Sequence, residues 1–278
     1  MTDKLKIGLA LSGGVGYCLA HIGVIKALEL RGLEADVVAG TSGGALIGCL
    51  YASGLRSDRL EEIARQISWT KLMSPTMVFR EKGLLSSEPI EKLVDQLIGT
   101  KRRFNEMKLP LSVTAVDLIT GKAVNFPNHS DDLVAPTVRA SCSVPIVYAP
   151  LKMGDWLLSD GGILDPLPME ALKAFKPDVT IAVSFMPGQF EPSNLFEIGV
   201  RSMEIANIKE SQLSRKDADI LIELNTGQVS SWDLKSALSL IELGQTTAEK
   251  ALDAAREKLS VQKPFWFDVL NKKWESQN

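Results

Sequence analysis

The chain has 278 residues, 45% of them hydrophobic and 23% charged, with 31 Lys+Arg against 34 Asp+Glu for a formal net charge of −3. That length is ample to bury the core of one large α/β domain. The near balance of charge lacks the basic footprint of a nucleic-acid partner, and no apolar run approaches the roughly 18–20 residues of a membrane span.

Three widely spaced cysteines, Cys18, Cys49 and Cys142, are an odd number in apolar settings. They argue against a disulfide framework and for a reducing compartment, the cytoplasm. Only two histidines are present, His21 and His129. No Cys/His pair has metal-ligand spacing, so neither metal nor other cofactor is expected. The stretch from Met1 to Lys6 leads into a strand pattern and does not read as a signal peptide.

Strand and helix patterns alternate from the start. Lys6 to Leu11 reads as a buried strand stopped by Ser12-Gly13-Gly14. A helix from Leu19 to Arg31 follows, closed by Gly32. Asp36 to Ala39 is a second short strand, with helices over Ala45–Ala52 and Asp58–Ile67. Each early strand thus ends in glycines and runs into a helix, the layout of a doubly wound, mainly parallel sheet whose ligands bind beyond the strands' carboxyl ends. Trp69 to Leu85 has no clean period and reads as a long loop. Ser87 caps a helix reaching Ile98, with Pro89 in its first turn. Leu111–Val116 and Lys122–Phe126 suggest paired strands, and Tyr148–Met153 with Trp156–Ser159 a hairpin. Val179–Phe185 and Ile220–Leu224 are further core strands flanking a helix from Asn194 to Lys216. A last helical stretch, Asp233 to Leu259, is expected to break near Gly244. No repeat or linker interrupts the chain, and residues 1–278 read as one domain.

Three glycine-bearing motifs stand at strand ends. Gly40-Thr41-Ser42-Gly43-Gly44 is a G-x-S-x-G between an apolar strand and an apolar helix. In a nucleophile elbow the serine sits on a strained turn, and the flanking residues must be small because two backbones pass close together. The bland reading is a glycine-rich turn whose serine caps the helix. Ser12-Gly13-Gly14-Val15-Gly16 lets backbone amides converge at a helix N-terminus, where negative charge is favoured. In acyl transfer such a loop is an oxyanion hole. A dinucleotide site fails because Leu19 occupies the third glycine position, and a simple tight turn is the remaining alternative. Asp160-Gly161-Gly162, at the end of Trp156–Ser159, could aim a carboxylate into a site, although Asp-Gly-Gly is also a common turn.

A serine nucleophile needs a base. His21 lies in the helix after the first glycine loop and reads as a buried, hydrogen-bonded helix histidine. His129, in Asn128-His129-Ser130-Asp131, reads as solvent-exposed. Scarcity of histidine therefore favours a Ser-Asp dyad, whose aspartate needs desolvation or a short hydrogen bond to be basic enough.

Taken together, the chain resembles the patatin-like phospholipase family, in its compact bacterial form. The resemblance rests on Leu11-Ser12-Gly13-Gly14 with Leu19-Ala20-His21-Ile22-Gly23, on Gly40 to Gly44, on Arg139-Ala140-Ser141-Cys142-Ser143-Val144-Pro145, and on Asp160-Gly161-Gly162-Ile163-Leu164-Asp165-Pro166-Leu167-Pro168. These blocks stand in family order from about Ile7 to Val183, leaving a C-terminal helical portion from about residue 190 to 278. The resemblance implies a three-layer α/β/α fold with a mainly parallel central sheet. It also implies a Ser-Asp dyad, Ser42 as nucleophile and Asp160 as base, hydrolysing lipid acyl esters through an acyl-enzyme without a metal. Gly13, Gly14, Val15 and Gly16 would form the oxyanion hole; Gly40, Thr41, Gly43 and Gly44 the elbow; Gly161 and Gly162 the glycines of the base motif.

One departure matters. Family members usually carry a third glycine, any residue, Arg or Lys, then glycine, where this chain has Val15-Gly16-Tyr17-Cys18. Valine resists positive φ, so the loop must be ordinary there or carry strain. This departure keeps a non-catalytic lipid-binding or regulatory module in view, and acyl transfer to an acceptor other than water shares the same intermediate. Asp165 stands where many members have asparagine. Elsewhere, Asp117 reads as a turn cap and Met73–Phe79 as a lid or ordinary loop. The aromatic stretch Pro264–Trp274 could dock on the domain, a partner chain or a membrane surface. The expected partner is a lipid or other acyl ester, with transient membrane contact and homo-oligomerisation open.

Overall fold

A computed structural model describes residues 5–66, 85–129, 131–186, 191–193, 195–206, 208–227 and 237–262. In chain order the elements are β1 (Ile7–Leu11), α1 (Ala20–Leu30), β2 (Val37–Thr41), α2 (Gly43–Ala52), α3 (Ser57–Gln66), α4 (Glu88–Ile98), β3 (Leu111–Asp117), β4 (Lys122–Phe126), α5 (Val134–Ser141), β5 (Leu151–Met153), β6 (Trp156–Asp160), α6 (Met169–Lys173), β7 (Val179–Met186), α7 (Leu195–Ala206), α8 (Ile208–Lys216), β8 (Ile220–Asn225) and α9 (Ala237–Gln262). The expected Trp69–Leu85 loop and the Pro264–Trp274 stretch lie almost wholly outside the described residues. Leu85 itself pairs with the 147–149 segment through Leu85 N–H to Val147 O and Ala149 N–H to Leu85 O.

One sheet runs β5-β6-β3-β2-β1-β7-β8, with β4 paired to β3. The pairs joining β3, β2, β1, β7 and β8 are all parallel, whereas β4, β6 and β5 join antiparallel. The chain winds outward from β1 in one direction and returns to the other side of β1 with β7. The carboxyl ends of β1, β2 and β7 therefore surround the point where the winding reverses, the place such sheets offer to ligands.

Alternation along the central strands divides the core. Leu9, Leu11, Val38 and Val113 pack toward α1, α2, α5 and α9, while Ala10, Val37, Ala39 and Ala182 face Leu167, Met169 and Leu172. Large side chains thus build the thick layer, and small ones let the short α6 segment lie close on the other face. All five residues of β1 and of β2 are buried, as expected of strands covered on both sides.

Two readings of the sequence change. The helix expected to break near Gly244 runs through it without interruption from Ala237 to Gln262. A Cβ at Gly244 would overlap the Ala20 carbonyl, and one at Gly23 would overlap the Ile241 carbonyl. The glycines are notches that let α1 and α9 cross at backbone contact. Ser87 does stand at the N-cap position of α4, yet its side chain makes no capping bond. It turns inward instead, 2.9 Å from Ser143 Oγ, and accepts from Arg139 Nε at 3.1 Å.

Candidate active site

At the end of β2 the backbone turns sharply at Ser42, with φ 53° and ψ −124°, and α2 begins at the next residue. A non-glycine residue there carries strain of order 1–3 kcal/mol unless its surroundings hold it. Several contacts do. Ser42 N–H donates to Ser141 Oγ at 2.8 Å, and Thr41 Oγ1 donates to Asp165 O at 2.9 Å. The glycines are required by close packing: a Cβ at Gly40 would lie 2.6 Å from Gly44 O, and one at Gly43 2.6 Å from Cys18 Cβ. A Cβ at Gly44 would overlap the Leu11 carbonyl.

Asp160 ends β6, opposite Ala115 of β3, and its N–H donates to Ser143 O at 3.0 Å. Its neighbour Gly161 has the Thr114 carbonyl where a side chain would begin. The Ser42 hydroxyl donates to Asp160 Oδ2 at 2.6 Å, and Gly162 N–H donates to Oδ1 at 2.7 Å. Ser42 and Asp160 are only 5% and 2% exposed. Burial pushes the Asp160 carboxyl up to about 6, opposed by the Ser42 hydroxyl and the Gly162 amide. Both residues line one cavity of about 430 Å³.

The loop after β1 forms part of the same wall. Ser12 N–H donates to Val183 O at 3.1 Å and Gly13 N–H to Pro166 O at 3.0 Å, so the Gly13 amide is already engaged. The next amides, of Gly14, Val15 and Gly16, stand at the start of a short 3₁₀ turn whose first internal bond is Tyr17 N–H to Gly14 O. None of the three has an acceptor within that turn. Of the two conformations open to Val15, the loop adopts the strained one, φ 44°. The Phe185 ring occupies the space a Gly14 Cβ would need, at 2.7 Å. Tyr17, where a basic residue is usual, packs on that ring at a centroid distance of 5.6 Å.

His21 is fully buried and its Nε2 lies 2.9 Å from Ser12 O. Burial lowers its pKa to about 4, so the neutral ring donates to that carbonyl. It also packs on Phe185 at 5.0 Å. The histidine braces the glycine loop; its recorded partners include neither Ser42 nor Asp160. His129 is exposed in a turn where its backbone N–H donates to Asp132 Oδ2. Asp117 caps a turn through Thr120 and its neighbours. Cys18, Cys49 and Cys142 are free and buried, and burial pushes the Cys18 thiol up to about 12. Among the described residues no group of His, Cys, Asp and Glu could hold a metal ion.

Part of the cavity wall carried no signal in the sequence. Beside Val15 and Val144, which fall in motifs, Phe185 and Met186 supply apolar surface, while Arg201 and Glu204 of α7 add a charged pair at 3.1 Å. Arg215 is held by Ser184 Oγ, Phe185 O and Glu223. A helix pattern alone does not say which turn of α7 or α8 will cover a strand end fifteen or more residues away. Ser141 and Ser143 lie inside the Arg139–Pro145 block, but bonds to Ser42 and Asp160 cannot be read from a sequence block.

Fold and site define a three-layer α/β protein with a buried serine–aspartate pair at the carboxyl edge of its sheet. The description Patatin-like phospholipase belongs to the family model that matches residues 9–173. The chain belongs to that family, which at family level is one of lipid hydrolases. It is 36% identical over 195 residues to an uncharacterized NTE family protein of Mycobacterium tuberculosis, covering 68% of this chain and 51% of that protein. It is 29% identical over 280 residues to YqhO of Bacillus subtilis, covering 86% and 95%. The chain thus spans about half the length of the mycobacterial relative. Among solved structures, VipD from Legionella pneumophila superposes with a TM-score of 0.61 at 14% identity, over 91% of this chain and 67% of that one. No helix among the described residues is long and apolar enough to cross a membrane.

Proposed function

We propose that the chain is a serine acyl hydrolase of lipid esters, with Ser42 as nucleophile and Asp160 as its base. The observation that carries the reading is the 2.6 Å hydrogen bond from Ser42 Oγ to Asp160 Oδ2 at the wall of the cavity. A carboxylate raised toward neutrality by burial is a better proton acceptor than an ordinary aspartate, yet is still ionised at pH 7.

Ser42 Oγ attacks the ester carbonyl as its proton passes to Asp160. The oxyanion that forms is held by the amides of Gly14, Val15 and Gly16, the last positioned by the same turn; Gly13 contributes by anchoring the loop to Pro166. Collapse of the tetrahedral intermediate breaks the bond to the alcohol, which takes the proton from Asp160 and leaves an acyl-Ser42. Water then attacks that ester, giving its proton to Asp160, and the second collapse releases the acid and returns the proton to Ser42. Each oxyanion donor typically supplies about 3 kcal/mol of transition-state stabilisation. The mainly apolar wall suits an acyl chain. Three free, buried thiols support a reducing compartment, the cytoplasm.

A fluorophosphonate probe tests the proposal. Labelling of the wild type at Ser42 is expected, with hydrolysis of p-nitrophenyl esters that Ser42→Ala abolishes. Absence of both, in folded protein, would leave a lipid-binding module built around the strained Val15 loop.

A further inference from the structure

The segment from Arg139 to Pro145 supplies no group to the reaction proposed for Ser42 and Asp160. In the fold it touches both members of the dyad. Ser141 Oγ, fully buried at the end of α5, accepts from Ser42 N–H at 2.8 Å and donates to Thr114 O at 2.6 Å. Two residues on, Ser143 O accepts from Asp160 N–H at 3.0 Å and from Ser159 Oγ at 2.8 Å.

The place of the Ser141 hydroxyl is specific. β2 and β3 pair in parallel as far as Thr41 opposite Thr114. The next rung would join Ser42 N–H to Thr114 O, and the hydroxyl is interposed between those two groups. A direct rung would hold Ser42 in the plane of the sheet. A bridged rung keeps both backbone groups satisfied while the chain leaves the sheet at Ser42, with φ 53°. A three-residue segment therefore ties the backbone of the nucleophile to that of the carboxylate, although the two are 118 residues apart.

We propose that Ser141 is a positioning residue that, with the Ser143 carbonyl, sets the separation of Ser42 Oγ and Asp160 Oδ2. It touches no reacting atom, and its role rests on the hydrolase reading above. Loss of the hydroxyl lets Ser42 N–H close on Thr114 O or leaves both without a partner; either way the elbow shifts. A misplacement of about 1 Å in a catalytic group costs about a hundredfold in rate.

Steady-state kinetics of Ser141→Ala on a p-nitrophenyl ester is expected to show kcat lowered about a hundredfold with KM within about twofold. Thr137→Val is the matched control. Thr137 is equally buried on the same helix, but its hydroxyl bonds only Leu133 O of its own turn. Its kcat should equal that of the wild type. If Ser141→Ala does not fold, Ser141→Cys, a weaker acceptor of the same shape, should give an intermediate kcat. Wild-type kcat in either folded Ser141 variant overturns the proposal. Crystal structures carry the geometrical half without reference to turnover: the 2.6 Å contact should be lost in Ser141→Ala and kept in Thr137→Val. Its survival in both also overturns the proposal. Failure of the wild type to cleave any ester would overturn the hydrolase reading, while the crystal structures still decide the clamp.

Discussion

Asp117 and Asp160 end neighbouring strands, β3 and β6, and each precedes a turn. Their surroundings drive them apart. Asp117 accepts from Thr120 Oγ1 at 2.7 Å and from the amides of Thr120, Ile119 and Leu157 at 3.0–3.2 Å. The Thr120 hydroxyl and these amides hold its carboxyl down at about 2. Asp160 has two donors, one of them the serine hydroxyl, and burial lifts it to about 6. A strand-end carboxylate is held ionised when donors crowd it, and is raised toward neutrality when it is dried and left short of them.

The largest test of this contrast is catalytic. Asp160→Asn and Ser42→Ala are each expected to lower kcat by at least about 10⁴-fold, whereas Asp117→Asn should keep kcat within about twofold. Steady-state ester hydrolysis measures all three, and more than a tenth of wild-type activity in Asp160→Asn would break the comparison. Next in size, Gly14→Ala drives a methyl into the Phe185 ring and displaces the oxyanion amides while leaving both carboxylates in place. A loss of about 10²–10³-fold in kcat is expected, without a change in the pH at which activity appears.

The contrast extends to pH and stability. With an ionised base, kcat/KM should rise through an apparent pKa near 6; a limb near 4 would mean that Asp160 is not desolvated. Its folded pKa lies above the unfolded value, so the native state holds this proton more tightly. The contribution to stability is greatest below pH 4, falls as pH rises from 4 to 6, and then levels off about 3 kcal/mol lower. Asp160→Asn escapes that cost. Denaturant titration should find it more stable than wild type above pH 6, by up to about 3 kcal/mol, with the difference gone at pH 4. Asp117 has the opposite sign: its folded pKa is depressed, and its contribution, present above the unfolded value, is lost as pH falls through about 2. The smallest effect belongs to Thr120→Val, which removes one donor and should lower Tm at pH 7 by about 2–4 °C, measurable by thermal melts.

Much of this organisation was legible because it is local. The strands at Ile7–Leu11 and Val179–Met186 declare themselves by short apolar runs, and the elbow by small residues around one serine. Gly244 shows the limit. In a sequence a mid-helix glycine reads as a break, since its propensity is poor, and only the crossing with α1 explains why no side chain fits there. Ser87 shows another: its position predicts a cap, but the half-buried Arg139 and the buried Ser143 competed for the hydroxyl.

From the chain alone follow the alternation of strands and helices, the three glycine-marked strand ends and the shortage of histidine, because periodicity and backbone sterics act over a few residues. Tertiary structure decided which aspartate has its pKa raised by burial, which loop amides stand at the open start of a turn, that Val15 takes the strained conformation, and that Ser141 bridges the first rung beyond β2. Those are matters of burial and of hydrogen-bond partners brought from distant segments, and both exist only after the sheet has assembled.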